Sequence, residues 1–194
     1  MRRAAEIFGR QGFASTSLED IATASGVRRE ALYYYFRDKT EILYDIIRPP
    51  SEGILRGMER LRASGVPPRE QLAAAIGNHL ESFNSGFIEM TVIARELKDR
   101  NAMPRLAEIH KIWKTYERHW VDLIRFGQAE GAFDAKQDPK MAAYGILGMC
   151  NWVSHWYRPG GSVSLSDLIR DYTSLALGGL ASSRGHLKRQ EKSK

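Results

Sequence analysis

The sequence is poor in the features that several classes of protein require. Cys150 is the only cysteine among 194 residues, which excludes a disulfide framework and a zinc site built on cysteines. The longest mostly apolar run, Met141 to Val153, is shorter than the roughly 20 residues that cross a bilayer. The N-terminus has no apolar segment of signal-peptide length, and neither strand patterns nor repeats occur. We therefore expect a cytoplasmic, all-α protein with no membrane span.

The charge distribution argues less for DNA binding than the net charge of +6 suggests. Residues 1–47 hold seven basic and seven acidic residues, so this part carries no net charge. Residues 184–194 hold five basic residues and one acidic residue, which gives +4. We expect this tail to be disordered and solubilising, with a nonspecific DNA contact as the alternative. A role in DNA binding must therefore rest on a motif.

Three short helices are predicted at the N-terminus. The first covers Arg2 to Gln11 and ends at Gly12. The second follows Ser17, whose side chain can cap it together with Asp20, and ends at Gly26, since glycine tolerates a left-handed turn. The inner face of the third is predicted to contain Val27, Ala31, Leu32 and either Tyr35 or Phe36. Two short helices joined by a tight glycine turn form a helix-turn-helix.

These residues resemble a known family. The run I-A-x-x-x-G-V-x-x-x-x-L-Y-Y-Y-F-x-x-K at Ile21 to Lys39, preceded by A-x-x-x-F-x-x-x-G-F at Ala4 to Phe13, resembles the DNA-binding domain of TetR-type (tetracycline-repressor-like) transcriptional regulators. The resemblance implies an N-terminal three-helix DNA-binding domain at 1–47, a C-terminal helical ligand-binding and dimerisation domain at 48–183, and the basic tail at 184–194. Family members usually carry a few more residues before this point, so either the chain starts late or the arm is short.

The resemblance implies DNA contacts for nine residues. Those expected at base edges are Arg29, Ala31 and Tyr34. Those expected at phosphates are Tyr33, Tyr35 and Lys39. Thr16 and Ser17 are expected at the DNA backbone where the second helix begins, and Arg28 is a further candidate. Tyr35 is equally compatible with a core ring, and Glu30 either accepts from a cytosine amino group or pairs with an arginine.

Beyond this head, the apolar spacing predicts helices only. Pro49 and Pro50 remove two backbone donors, so we expect a helix from Thr40 to break or kink near Arg48 and to resume over 51–62. This junction is either a hinge or an ordinary turn between helices. Further helices are predicted over about 72–85, 87–98, 101–131, 138–156 and 164–180, with caps at Asp138 and Ser164.

The resemblance also implies a homodimer through a four-helix bundle of the last two helices. Small residues on these helices agree with it, because glycine is unfavourable inside a helix unless another backbone comes close. They are Ala142, Ala143, Gly145, Gly148, Ala176, Gly178 and Gly179. A dimer presents two heads to a palindromic operator in double-stranded DNA, with half-sites about one helical turn, roughly 34 Å, or a multiple of it apart.

Three C-terminal segments resemble the TetR branch that responds to acyl-CoA thioesters in fatty-acid and sterol breakdown. They are N-W-V-S-H-W-Y-R-P-G-G at 151–161, I-R-F-G-Q-A-E-G-A-F at 124–133 and L-x-L-G-G-L at 175–180. The implied effector has a long apolar tail and a phosphate-rich head. Candidate ligand-binding residues are Trp113, Tyr116, Trp120, Tyr144, Trp152, Trp156, Arg125 and Arg158, with Arg95 a further phosphate ligand. Trp156 and Arg158 are equally open to a structural role, and most of the aromatic residues are expected to fill the core.

No catalytic or metal-binding constellation is predicted. The apolar neighbours of Cys150 predict a buried, inert thiol, and His110 and His119 lie nine residues apart on opposite sides of one helix. We therefore predict a repressor that needs no cofactor and is released from DNA by an apolar effector. The alternatives are a TetR-type regulator of an efflux or other catabolic gene that senses a different hydrophobic molecule, and a helical interaction module without specific DNA binding.

Overall fold

The computed structural model describes residues 1–85, 89, 92 and 106–181. The described residues form eight helices: α1 Arg2–Gln11, α2 Leu18–Ser25, α3 Arg29–Tyr35, α4 Lys39–Arg62, α5 Pro68–Ser85, α6 Ala107–Ala129, α7 Pro139–Trp156 and α8 Leu165–Gly179. This part of the chain contains no strand, so the all-α prediction is confirmed. No helix within it is long and apolar enough to cross a membrane.

Contacts divide the chain into two compact units. Unit 1 comprises residues 1–55 and the described residues among 82–114, and unit 2 comprises residues 56–81 and the described residues from 115 onward. Helices α4, α5 and α6 contribute to both. The predicted domains at 1–47 and 48–183 remain predictions. The predicted tail, Arg95, the start of the helix predicted from 101, and most of the helix predicted over 87–98 lie outside the described residues.

The N-terminal helices begin and end where local signals predict. Helix α1 buries Ala4, Ala5, Ile7 and Phe8. The Ser17 hydroxyl accepts from the Asp20 N–H at 3.1 Å, while the Asp20 carboxylate accepts from the Ser17 N–H at 2.8 Å. Gly26 ends α2 in the left-handed conformation, with φ 67° and ψ 26°. The caps predicted for α2 are confirmed, and they set the tight turn into α3.

Of the break or kink predicted near Arg48, the break is wrong, and the kink stays a prediction. Helix α4 runs through both prolines without a new start, although proline costs about 3 kcal/mol inside a helix. The Arg48 guanidinium donates to Glu52 at 2.7 Å across the pair, and the Ser51 hydroxyl donates to the Ile47 carbonyl at 2.7 Å. Buried isoleucines flank the prolines at Ile46, Ile47 and Ile54. Burial of this face offsets the missing backbone donors.

The helices of unit 2 also follow their predicted caps. The Asp138 carboxylate accepts from the Met141 N–H at 2.8 Å where α7 begins, and the Ser164 hydroxyl accepts from the Asp167 N–H at 3.0 Å where α8 begins. Between α6 and α7, the Gln128 amide donates to the carbonyls of residues 134 and 137. These hydrogen bonds hold the connection between α6 and α7 together.

Candidate nucleic-acid interface and effector region

Helix α3 presents almost all of its side chains to solvent. Tyr34 is 84% exposed, Tyr35 is 74% exposed, and the rings of these two tyrosines meet edge to face with centroids 5.1 Å apart. Only Leu32 within the helix and Phe36 just after it are half-buried. The inner face is therefore narrower than predicted, because Val27 and Ala31 are exposed. Of the two alternatives for Tyr35, the structure takes the outward one.

The exposed cations of this face are partly oriented by their neighbours. The Arg29 guanidinium lies over the Tyr33 ring, 5.2 Å from its centroid, and donates to the Tyr33 hydroxyl at 3.3 Å. Its other terminal nitrogen is 3.6 Å from the exposed Glu19 carboxylate. Arg28 is exposed at the N-terminus of α3, and Glu30 is exposed beside it. The arrangement offers donors and flat rings together, which is what base edges and phosphates require.

Two predicted DNA contacts at the start of α2 are engaged inside the head. Thr16 is 1% exposed, and its hydroxyl donates to the Gly12 carbonyl at 2.7 Å. The exposed Ser17 hydroxyl donates to the Asp20 carboxylate at 2.7 Å and accepts from the Asp20 N–H. The hydrogen bonds that the Ser17 hydroxyl and the Ser17 N–H donate to the Asp20 carboxylate lower the pKa of Asp20, so its negative charge persists at the N-terminus of α2. A phosphate at this end would therefore lie close to a carboxylate of like charge.

Lys39, the first residue of α4, is directed inward rather than toward solvent. Its ammonium donates to the carbonyls of Phe13 at 2.7 Å, Ala14 at 3.1 Å and Thr16 at 2.7 Å. It also lies 4.6 Å from the centroid of the Phe13 ring. Since an ammonium has three N–H donors, all of them are used within the connection between α1 and α2.

The eight predicted ligand-binding residues do not form one cluster among the described residues. Tyr116 and Trp120 are buried in unit 2, with ring centroids 6.2 Å apart. Trp113 belongs to unit 1, where its indole N–H donates to the Ser51 hydroxyl at 3.0 Å. The remaining five side chains are exposed on unit 2: Tyr144, Trp152, Trp156, Arg125 and Arg158.

A buried polar group that the sequence did not reveal lies next to Tyr116. His79 of α5 is fully buried, with Nδ1 2.9 Å from the Tyr116 hydroxyl and Nε2 3.0 Å from Asn151 Oδ1. Because an amide oxygen only accepts, Nε2 carries the hydrogen and Nδ1 accepts from Tyr116. Burial lowers the pKa of His79 to about 4, and its ring stacks on Tyr116 and meets Trp120 edge on. The only hint in the sequence is that His79 lies three residues after Ile76 on an apolar helix face.

Cys150, on the same helix as Asn151, is fully buried as predicted. Burial raises the pKa of its thiol to about 12, so the thiolate form that would act as a nucleophile is strongly disfavoured.

Helices α7 and α8 expose a continuous apolar face. A shallow groove between them is lined by Met141, Gly145, Met149, Leu175 and Gly179 among others. A Cβ atom added to Gly145, Gly148, Gly178 or Gly179 would have no neighbour within 4 Å. Among the residues that the structure describes, nothing therefore requires glycine at these four helical or helix-end positions.

Comparisons with known proteins agree with this geometry. Residues 1–46 match the family described as bacterial regulatory proteins, tetR family, and residues 65–180 match the tetracyclin repressor-like C-terminal domain. The HTH-type transcriptional repressor KstR2 of Rhodococcus jostii is 28% identical over 180 residues, which cover 92% of this chain and 88% of that protein.

Two solved structures share the fold. The ketosteroid transcriptional regulator KstR2 of Mycobacterium tuberculosis superposes with a TM-score of 0.87 at 24% identity, covering 94% of this chain and 93% of that one. The regulator AibR, in complex with isovaleryl coenzyme A and operator DNA, superposes with a TM-score of 0.78 at 21% identity, covering 89% of this chain and 93% of that one.

Proposed function

Because the chain belongs to the TetR family of bacterial regulatory proteins, we propose that it represses transcription as a homodimer on a palindromic operator and leaves the DNA when an apolar effector binds. Proteins of this family are transcriptional regulators rather than enzymes, and the similar KstR2 of Rhodococcus jostii is a repressor, which supports this proposal. The observation that carries the proposal is the exposed face of α3, which follows the capped helix α2 in a helix-turn-helix.

The contact surface that we propose consists of the exposed residues of this face. They are Arg28, Arg29, Ala31, Tyr33, Tyr34 and Tyr35. Arginine donates in a planar fork to guanine edges and phosphates, and tyrosine offers a hydroxyl donor with an apolar ring for thymine methyl groups. The stacking of Arg29 on Tyr33 limits the orientations of the guanidinium before DNA arrives, which lowers the entropy cost of binding. Thr16, Ser17 and Lys39 are left out of this surface because their donors already bond within the head.

Operator binding is tested with DNA from upstream of the protein's own gene, at several stated salt concentrations. We expect Tyr34→Ala to lower specific affinity by about tenfold or more, since it removes a base-edge contact. Arg28→Gln should reduce the slope of log affinity against log salt by about 0.9 per phosphate contact, or about twice that in a dimer. Arg118→Gln, which removes an exposed arginine of α6, is the matched control. Operator binding that neither Tyr34→Ala nor Arg28→Gln affects would contradict the proposed surface.

The dimer is proposed to form through the apolar face of α7 and α8. Each helical glycine costs about 1 kcal/mol relative to alanine, and Gly145 and Gly148 have no neighbour within the described part of their own chain that explains this cost. A second copy packed against them supplies the reason. We expect Gly148→Leu to yield monomers in sedimentation analysis. The control Gly57→Leu should leave the dimer intact, because a Cβ atom on this helical glycine of α4 also has no neighbour within 4 Å among the described residues. A dimer that survives Gly148→Leu would place the interface elsewhere.

The effector that we propose is an acyl-CoA thioester derived from a fatty acid or a steroid. The resemblance of the three C-terminal segments supports it, as do two similar proteins, a ketosteroid regulator and a regulator solved with isovaleryl coenzyme A. Within unit 2, the buried rings of Tyr116 and Trp120 suit an acyl group, and the exposed Arg125 and Arg158 suit phosphates.

Effector specificity is tested in the same DNA-binding assay with long-chain acyl-CoA, steroid-derived acyl-CoA, free fatty acid and CoA alone. Release by an acyl-CoA, but not by free acid or CoA, is the expected result. Release by free acid alone would replace the thioester with a simple apolar acid. Specific DNA binding that no compound disturbs would retain the repressor and reject this effector class, leaving a regulator that senses a different hydrophobic molecule.

A further inference from the structure

Lys39 lies where α4 begins, yet within the described part of the chain its side-chain hydrogen bonds are made with a segment more than 20 residues earlier in the sequence. The three carbonyl oxygens that accept from its ammonium belong to Phe13, Ala14 and Thr16, at 2.7, 3.1 and 2.7 Å. This segment connects α1, which ends at Gln11, to α2, which begins at Leu18. Its carbonyls converge because the Thr16 N–H closes a tight turn onto the Phe13 carbonyl.

The same segment contains the residues that start the helix-turn-helix. The buried Thr16 is tied back to Gly12 by its hydroxyl, and the next residue, Ser17, is the N-cap of α2. Lys39 therefore joins the start of α2 to the start of α4 through a charged hydrogen-bond centre, and α3 lies between these two points in the chain. Hydrogen bonds from charged donors are stronger than neutral ones, and the Phe13 ring adds a favourable contact beneath the cation.

We propose that Lys39 is a positioning residue for operator binding, which holds α2 and α4 in the geometry that presents α3, and that it does not contact phosphate. The proposal rests on the function proposed above, since it assigns Lys39 a role in that DNA binding. It differs from a phosphate contact in a measurable way. A phosphate contact releases a counterion when it forms, whereas a hydrogen-bond centre inside the head does not.

The experiment measures the affinity of the full-length protein for its upstream operator, and for unrelated DNA of equal length, across a salt series. For Lys39→Met we expect specific affinity to fall on the order of tenfold, as for loss of a charged hydrogen bond. The slope against salt and the affinity for unrelated DNA should stay near the wild-type values. Arg28→Gln is the comparison, because its slope should decrease. A head that simply unfolds would lose affinity for both DNAs, and circular dichroism of the variant tests this directly.

Lys39→Arg provides a second, independent test of the proposal, because it keeps the positive charge at this position. A guanidinium binds phosphate at least as well as an ammonium, but its planar fork cannot direct three N–H groups at three converging carbonyls. The proposal predicts that this variant loses specific affinity, whereas a phosphate contact predicts that it retains it.

Three results would overturn the proposal. The first is a decrease of about 0.9 for each protomer in the slope of log affinity against log salt for Lys39→Met. The second is wild-type operator affinity in Lys39→Arg, and the third is unchanged operator affinity in Lys39→Met. If the wild-type protein shows no specific binding at all, the proposed repressor function fails and Lys39 has no such role. If the wild type binds and the variants behave as a phosphate contact requires, only the inference about Lys39 fails.

Discussion

The buried histidine of unit 2 makes the protein's stability depend on pH in a way that can be calculated. His79 has a pKa of about 4 in the folded protein, against 6.5 as its ordinary value, because burial disfavours the charged ring. A base whose folded pKa is depressed binds its proton first in the unfolded state, so protonation stabilises the unfolded chain. The stability is complete above pH 6.5 and decreases as the pH falls toward 4.

The magnitude follows from linkage between proton binding and folding. Between about pH 7.5 and pH 5, protonation of His79 lowers the free energy of the unfolded state by about 2 kcal/mol and that of the folded state by almost nothing. The free energy of unfolding therefore falls by about 2 kcal/mol over this range. His79→Gln removes the titrating group and keeps an amide that can donate to Asn151 and accept from Tyr116. The variant should therefore lack this part of the acid sensitivity, whatever its stability at neutral pH.

The assay is urea unfolding of the two proteins at equal concentration and at a series of pH values, followed by circular dichroism. The wild type should lose about 2 kcal/mol relative to His79→Gln on going from about pH 7.5 to pH 5. Tyr116→Phe is the matched variant, because it removes the hydroxyl partner at 2.9 Å while the buried imidazole remains, and it should keep the acid sensitivity. If the difference between wild type and His79→Gln does not change over this range, the argument from burial is refuted.

Two glycines allow further tests of the fold. A Cβ at Gly127 would lie 2.1 Å from a ring carbon of the buried Phe133, so Gly127→Ala should lower the free energy of unfolding by roughly 1–3 kcal/mol. The control is Gly53→Ala, which should cause no such loss because its Cβ would have no neighbour within 4 Å among the described residues. Equal losses in the two variants would show that the Phe133 contact is unimportant. Gly26 has a φ of 67° between α2 and α3, so Gly26→Ala should lower the free energy of unfolding by about 1–2 kcal/mol and weaken operator binding. Gly26→Asn should lose less stability than Gly26→Ala. Equal thermal stability of the alanine variant and the wild type would argue against a conformational requirement at this position.

Predictions made from the sequence are most accurate where the deciding interaction is local. The caps at Ser17, Asp138 and Ser164 each depend on a residue three positions ahead, so a short window contains both partners. Gly26 is similar, because its left-handed conformation follows from the turn it must make. The family is likewise confirmed, since its motif is a spacing within one short run.

Predictions are less accurate where packing decides. Pro49 and Pro50 predict a break from local rules, but the buried isoleucines on either side keep α4 continuous. Trp152 of α7 is a predicted effector contact, and packing within the described residues leaves it 60% exposed, so this role stays a prediction. A helical period shows that a residue lies on a particular face, but it does not show whether that face meets the chain's own core or remains open to a second copy.

The amino-acid sequence is enough to predict the all-helical class, the positions of the capped helices and the family, because these depend on residues within one or two helical turns of each other. Which polar groups pair with each other depends on the tertiary structure. His79 meets partners 37 and 72 residues away, and Lys39 meets carbonyls 23 to 26 residues away. Such pairs depend on how helices pack. A sequence pattern shows that a histidine lies on an apolar face or that a lysine begins a helix, but it does not identify the atoms across the core that will satisfy their hydrogen bonds.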